Sequence, residues 1–314
     1  MYFKYYDMKH QLKPTSKNIF ILLILTSIVF GCNKNSLKVW DDKEGSEVQN
    51  PDAQVFIHAG ETREYMLYIP DSYDGITEVP LLFNFHGYGG IASEYMTYAD
   101  MRSLAESERF ILVYPQGSAL DGSSHWNPSL PSTDNKSNAD DLGFIEALIN
   151  QLSTEFMIDM KRIYACGYSN GGMMSYGLAS HKSNLIAAIG AISGAMIETD
   201  ILPSHPMPVI KIHGTADEVL PYDGIDGTYN SVEATLEYWR NFNNTSLTPI
   251  VTNFNDRGTL IEHFIYADGE NGASVEHYKV IEGEHVWFDL NYQGMSSNKL
   301  IWDFVSRYDI HGLR

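Results

Sequence analysis

Ser169 stands in Gly167-Tyr168-Ser169-Asn170-Gly171. A strand-like run, Arg162 to Cys166, leads into it, and a small-residue, helix-compatible run, Met173 to Ala179, leaves it. Gly-x-Ser-x-Gly between a strand and a helix is the sharp turn that holds a nucleophilic hydroxyl out at a sheet end. The glycines suit it physically, because a Cβ two positions either side would collide with the crossing strand and helix. The competing reading is a chance match in a glycine-containing chain, so the partners decide. A serine nucleophile needs a base and an acid that orients it, and on such a turn they follow in the order serine, acid, histidine. Asp217 stands out as the acid because it follows the buried run Val209 to Ile212, with Glu218, Asp223 and Asp226 as near rivals and a plain turn residue as the alternative. Of the downstream histidines, His263 and His277 sit inside strand patterns and His311 in the tail. His285 lies in a loop between Gly283 and Trp287 and is the chosen base.

Acyl chemistry also needs two backbone N–H groups for the developing oxyanion. Asn170, next after the serine, supplies one. The loop His86-Gly87-Tyr88-Gly89-Gly90, directly after an apolar strand, supplies the other, most naturally at Tyr88. Trp126, Trp287 and Tyr88 offer flat aromatic faces suited to sugars and phenolic rings, with core packing as the alternative for each. No His-Glu-x-x-His or paired-cysteine motif occurs, so neither a metal nor an organic cofactor is expected.

These residues need elements to hold them. Gln54 to Ala59 and Thr62 to Pro70 read as an antiparallel edge hairpin. Val79 to Phe85, Phe110 to Tyr114, Ala187 to Ile192 and Val209 to Ile212 are apolar runs of the kind buried on both faces. Helical patterns cover Ser93 to Glu106, the stretch from Leu142 to Phe156 behind Asp140 and Asp141, Ser231 to Asn241, and Leu300 to Tyr308. Leu260 to Tyr266 and Val275 to Ile281 read as late strands, and 118–138 as a long polar loop of functional size. Strands alternating with helices after a hairpin predict an α/β fold, with a mostly parallel sheet covered on both faces. No linker divides 53–314, which is read as one catalytic domain.

Ahead of that domain, Lys4, Lys9, Lys13 and Lys17 precede the apolar run Ile19 to Phe30. A basic region and a short apolar core make 1–31 a secretory signal, shorter than the roughly 20 apolar residues of a membrane span. Val29-Phe30-Gly31-Cys32 resembles a bacterial lipoprotein signal, which implies a lipidated Cys32, a polar tether over 32–52, and a cell-envelope or secreted location. With Cys32 so used, Cys166 is left alone as a buried strand residue, and no disulfide is expected. The formal net charge of −19 argues against nucleic acid or an anionic membrane surface as partner.

Taken in order, the motifs resemble the polyhydroxybutyrate depolymerase and feruloyl esterase group, which overlaps carbohydrate esterase family one in the α/β-hydrolase superfamily. The residues that carry the resemblance are His86-Gly-Tyr-Gly-Gly90, Trp126-Asn127, Asp140 to Ile145, Gly167 to Met174 with Gly172 and the Met173-Met174 pair, His213 to Asp217 with Pro221-Tyr222, and Gly283-Glu-His285 with Trp287. The chain departs from that group at Glu284 and Phe288 and in lacking disulfides. The resemblance implies a Ser169, Asp217 and His285 triad and, as substrate, feruloyl or acetyl esters on plant polysaccharide. A polyhydroxyalkanoate depolymerase or small-ester carboxylesterase shares the same chemistry. A non-catalytic carbohydrate-binding lipoprotein is the rival of another class, against which the intact trio argues.

Overall fold

Four of the parallel strands end at one edge of the sheet, and each hands the chain to a loop bearing one of the residues singled out above. The computed structural model describes residues 52–314 other than Asp134, Glu198 and Asp200. The expected signal segment 1–31, and Cys32 with the expected tether up to residue 51, lie outside the described residues. The strands of the main sheet are β1 (Ala53–His58), β2 (Glu61–Tyr68), β3 (Val79–Phe85) and β4 (Ile111–Pro115). A small hairpin, β5 (Ser118–Leu120) with β6 (Ser123–His125), stands apart from that sheet. The main sheet continues through β7 (Ile158–Tyr168), β8 (Ala188–Ile192), β9 (Val209–Gly214), β10 (Ile250–Asp256), β11 (Thr259–Tyr266) and β12 (Val275–Val280). Its order is β1-β2-β4-β3-β7-β8-β9-β12-β11-β10. From β4 to β12 all neighbours run parallel, and antiparallel pairs close both flanks. The expected edge hairpin is β1 with β2.

Helices α1 (Ala92–Tyr98), α2 (Arg102–Glu108), α3 (Asp141–Glu155), α4 (Asn170–His181), α5 (Val232–Asn243) and α6 (Ser297–Val305) cover the sheet. Leu148 of α3, Leu178 of α4 and Trp239 of α5 share one core with Leu81, Phe83 and Phe85 of β3. Met96 of α1, Ala105 of α2 and Phe304 of α6 share the other core with Leu82. The alternation along β3 therefore feeds both faces, and its seven residues are all buried.

Two expectations are corrected, and one strand is added. The helix read over Ser93 to Glu106 is two helices. Asp100 breaks it, because its carboxylate accepts the backbone N–H of Arg102 and clasps the Arg102 guanidinium, which restarts the chain as α2. The loop 118–138 contains the hairpin β5–β6. β10 escaped the sequence reading because it is an edge strand with most residues exposed, so no apolar alternation marks it.

Asp140 caps α3, accepting the N–H of Gly143 at 3.0 Å. Asp141, beside it in the first turn, is fully buried and takes Arg63 of β2 at 2.6 Å. Arg63 also lies over the Phe144 ring at 4.0 Å, so the pair ties the hairpin to α3.

Candidate active site

Ser169 has φ 55° and ψ −121°, a conformation that non-glycine residues avoid and that only a well-determined surround maintains. The surround is visible in the glycines. A Cβ on Gly171 would stand 2.1 Å from the carbonyl oxygen of Phe85, and one on Gly167 would stand 2.5 Å from the Gly171 backbone. Close passage of β3, β7 and α4 thus forces the turn that lifts Ser169 out at the sheet edge.

The histidine arrives from the loop after β12. His285 Nε2 is 2.8 Å from Ser169 Oγ, and His285 Nδ1 is 2.7 Å from Asp217 Oδ2. Since a carboxylate only accepts, Nδ1 carries the proton and Nε2 offers its lone pair to the serine hydroxyl. Two further bonds fix the loop: Tyr168 Oη donates to the carbonyl of His285 at 2.9 Å, and Ser193 Oγ donates to that of Val286 at 2.9 Å.

Asp217 follows β9. Its Oδ1 accepts the N–H groups of Val219 and Leu220 at 2.9 and 2.8 Å, and its Oδ2 lies 3.3 Å from His213 Nε2. Burial opposes its charge, but the hydrogen bonds from His213, His285 and Leu220 outweigh it and hold the carboxyl well below the usual carboxylate range. Its sequence rivals Glu218, Asp223 and Asp226 are all exposed. The competing histidines are occupied or remote. His263 pairs with Glu276, His277 bonds the Lys211 carbonyl and Tyr222 Oη, and His311 lies in the exposed tail.

The loop after β3 is rigid. His86 Nδ1 donates to the carbonyl of Gly87 at 2.7 Å while its Nε2 accepts from Gly117 N at 2.9 Å. Burial pushes the His86 ring down to about 4, so it stays neutral near pH 7. Gly90 N closes a turn onto Gly87 O, and Gly89 N donates to Ser124 of β6. Among the described residues, neither the Tyr88 nor the Asn170 N–H is spent on a protein acceptor. The Asn170 side chain is spent: its Oδ1 accepts Trp126 N at 2.7 Å and its Nδ2 donates to Trp126 O at 3.0 Å.

These bonds change the part played by the tryptophans. Trp126 is only 1% exposed, donates Nε1 to the carbonyl of His86, and packs edge-on against Phe85. Trp287 is buried edge-on against Tyr95. Both rings are buried, so neither presents the open flat face the sequence suggested, and Trp126 meets the cleft as part of its wall. Tyr88, by contrast, is half-exposed at the rim of a cleft of about 590 Å³ that contains Ser169, Met173, Ile197 and Tyr229. Glu284, a point of departure from the resembling group, is exposed next to His285. Cys166 is buried under the turn, where burial pushes its thiol up and leaves it inert.

Sequence reading assigns no role to His213, Tyr168 or Ser193. His213 is visible four residues ahead of Asp217. For the other two no sequence signal exists, since their partners are more than 90 residues away.

A parallel-centred sheet covered on both faces, with a serine on a strained strand-to-helix turn, defines the α/β-hydrolase class. Residues 78–249 match the profile of the phospholipase/carboxylesterase family, and the chain belongs to that family. Among similar proteins, a bifunctional acetylxylan esterase/xylanase of Neocallimastix patriciarum is 28% identical over 257 residues, which is 81% of this chain and 34% of that one. A probable feruloyl esterase C of Aspergillus niger is 30% identical over 182 residues, 56% of this chain and 63% of that one. The chain thus spans between about a third and two thirds of the length of these relatives. The fold is also that of an acetyl xylan esterase from Aspergillus awamori, with a TM-score of 0.55 at 16% identity over 71% of this chain and 89% of that one. These names bear out the resemblance to the feruloyl esterase group.

Proposed function

We propose that the protein is a serine esterase that cleaves feruloyl or acetyl esters on plant polysaccharide. The observation that carries this reading is the bonded row Ser169–His285–Asp217, with 2.8 and 2.7 Å links, opening on the cleft. The names of the relatives supply the substrate class. In the proposed sequence Ser169 Oγ attacks the ester carbonyl carbon while His285 Nε2 takes the hydroxyl proton. Asp217 keeps His285 in the Nδ1–H tautomer and stabilises the imidazolium that forms. The carbonyl oxygen becomes an oxyanion that the Tyr88 and Asn170 N–H groups receive, each donor contributing about 10²–10³ in turnover. Collapse expels the alcohol, which takes the proton from His285, and leaves an acyl group on Ser169. Water, deprotonated by His285, then releases the acid. Lipid attachment through Cys32 would display this site at the cell envelope, suited to a polymer too large to enter.

The test compares the wild type and Ser169→Ala on p-nitrophenyl acetate, methyl ferulate, acetylated xylan and polyhydroxybutyrate. Turnover of the ferulate or xylan ester, lost in the variant, is expected. A Ser169→Ala protein that still hydrolysed these esters would overturn the mechanism, and a preference for polyhydroxybutyrate would overturn the substrate class. Metabolic labelling with a palmitate probe, lost in Cys32→Ala, tests the lipid.

A further inference from the structure

His125 ends β6 and lines the same cleft as Ser169. It is only 4% exposed. Its Nδ1 lies 2.9 Å from the carbonyl oxygen of Ser118, its cross-strand partner on β5. A carbonyl only accepts, so Nδ1 carries the proton, and in the neutral ring Nε2 is left as a bare acceptor. That Nε2 is buried and has no hydrogen-bond partner. A buried polar atom without a partner costs about 1–3 kcal/mol, and of the six such atoms among the described residues His125 Nε2 is the one whose residue lines the cleft with Ser169.

The surrounding polar groups are satisfied. His86, one layer behind, uses both ring nitrogens. Trp126 Nε1 is bonded to the His86 carbonyl, and Asn127 donates to Ala139 O. Asp141, beneath the hairpin, accepts from Arg63, Ser118 and the Asn127 N–H. The alternation along β5 and β6 puts Leu120 on the same hairpin face as His125, and Leu120 also lines the cleft. The hairpin is held in place by Gly89 N on Ser124 O and Ser124 Oγ on Gly90 O, so the acceptor has a fixed position relative to the Tyr88 loop. The cleft wall between is largely apolar, with Leu120, Pro128, Met173, Ile197 and Val219. An unfilled acceptor on a largely apolar wall favours a ligand that places a donor opposite it.

We infer that His125 Nε2 accepts a hydrogen bond from a hydroxyl of the bound ester and is a specificity-determining residue of the cleft. This rests on the esterase reading above. The hydroxyl belongs either to a phenolic acyl group or to the sugar that carries the ester, and the shared chemistry is an O–H donor presented to a neutral imidazole.

The experiment measures two ratios of kcat/KM in the wild type, His125→Phe and His125→Asn. The asparagine side chain of the second variant can keep the donor to Ser118 O while offering nothing at the Nε2 position, so it covers the case in which the phenylalanine variant does not fold. The first ratio is methyl p-coumarate over methyl cinnamate, which lacks the phenol. The second is acetylated xylo-oligosaccharide over p-nitrophenyl acetate, which lacks the sugar. Losses common to all substrates cancel in each ratio. A fall of about tenfold or more in the first ratio assigns the hydroxyl to the acyl side, and in the second to the sugar side. Ratios that match the wild type in both variants overturn the inference, leaving His125 a structural residue. If the wild type hydrolyses none of these esters, the esterase reading fails separately. Fluorescence quenching by p-coumarate against cinnamate then still tests His125, with equal affinities in wild type and variants overturning it.

Discussion

His213 Nε2 lies 3.3 Å from Asp217 Oδ2, so the carboxylate that orients His285 is itself held by a second histidine. His213 Nε2 also bonds the Leu220 carbonyl at 2.9 Å, which means that it carries the proton and donates to both acceptors. Burial holds the ring below its ordinary range, so it does this while neutral. The strand β9 thus delivers both the orienting acid and its support.

Replacing His213 by phenylalanine removes one donor from Asp217 and leaves Leu220 O unpaired. The variant should lose about 1–3 kcal/mol of stability in urea titrations. Its kcat on p-nitrophenyl acetate should fall about tenfold, or ~1.4 kcal/mol of barrier, with KM nearly unchanged because His213 does not line the cleft. An unchanged kcat in a folded variant would show that Asp217 needs no such support.

Lys211, two residues earlier on β9, is buried and donates Nζ to the carbonyl of Gly194. Burial pushes its ammonium down to about 7, against the opposing pull of Asp217. Between pH 7 and about 10.4, the ordinary lysine value, the unfolded chain binds a proton at this site that the folded chain does not. Stability contributed by this group therefore rises with pH across that window, with a slope approaching about 1.4 kcal/mol per pH unit. The Lys211→Met protein should lack this part of the slope when denaturant unfolding is compared with the wild type from pH 7 to 9. Parallel pH curves for the two proteins would mean that Lys211 titrates normally.

Arg63 and Asp141 form a buried pair at 2.6 Å between β2 and α3. Removing one member strands the other charge, so Arg63→Ala should cost about 3–5 kcal/mol, read as a lower midpoint of chemical unfolding. Arg63→Met with Asp141→Asn, which removes both charges and keeps an acceptor for the Asn127 N–H, should recover part of that loss. A single variant as stable as the wild type would show that the pair contributes nothing.

Much of the site was legible because its parts are local. Gly167, Ser169 and Gly171 declare a strained turn by type and spacing alone. Asp217 and His285 each follow a strand, and the order of the three along the chain is distinctive. The tryptophans were not legible in the same way. An aromatic near a motif reads equally as a binding face or as packing, and only the contacts of Trp126 with His86 and Phe85 decide. Lys211 and His125 were hidden for a related reason: a polar residue in a strand or loop says nothing of which side chain or carbonyl it will meet.

The sequence by itself determined most of the element order, the parallel-centred sheet and the strained serine turn, and it singled out Ser169, Asp217 and His285, because periodicity, glycine spacing and chain order are properties of neighbouring residues. The tertiary structure decided what depends on distant chain segments meeting. It split the helix at Asp100, buried both tryptophans, set His213 behind Asp217, and left one lone pair of His125 without a protein partner beside the serine.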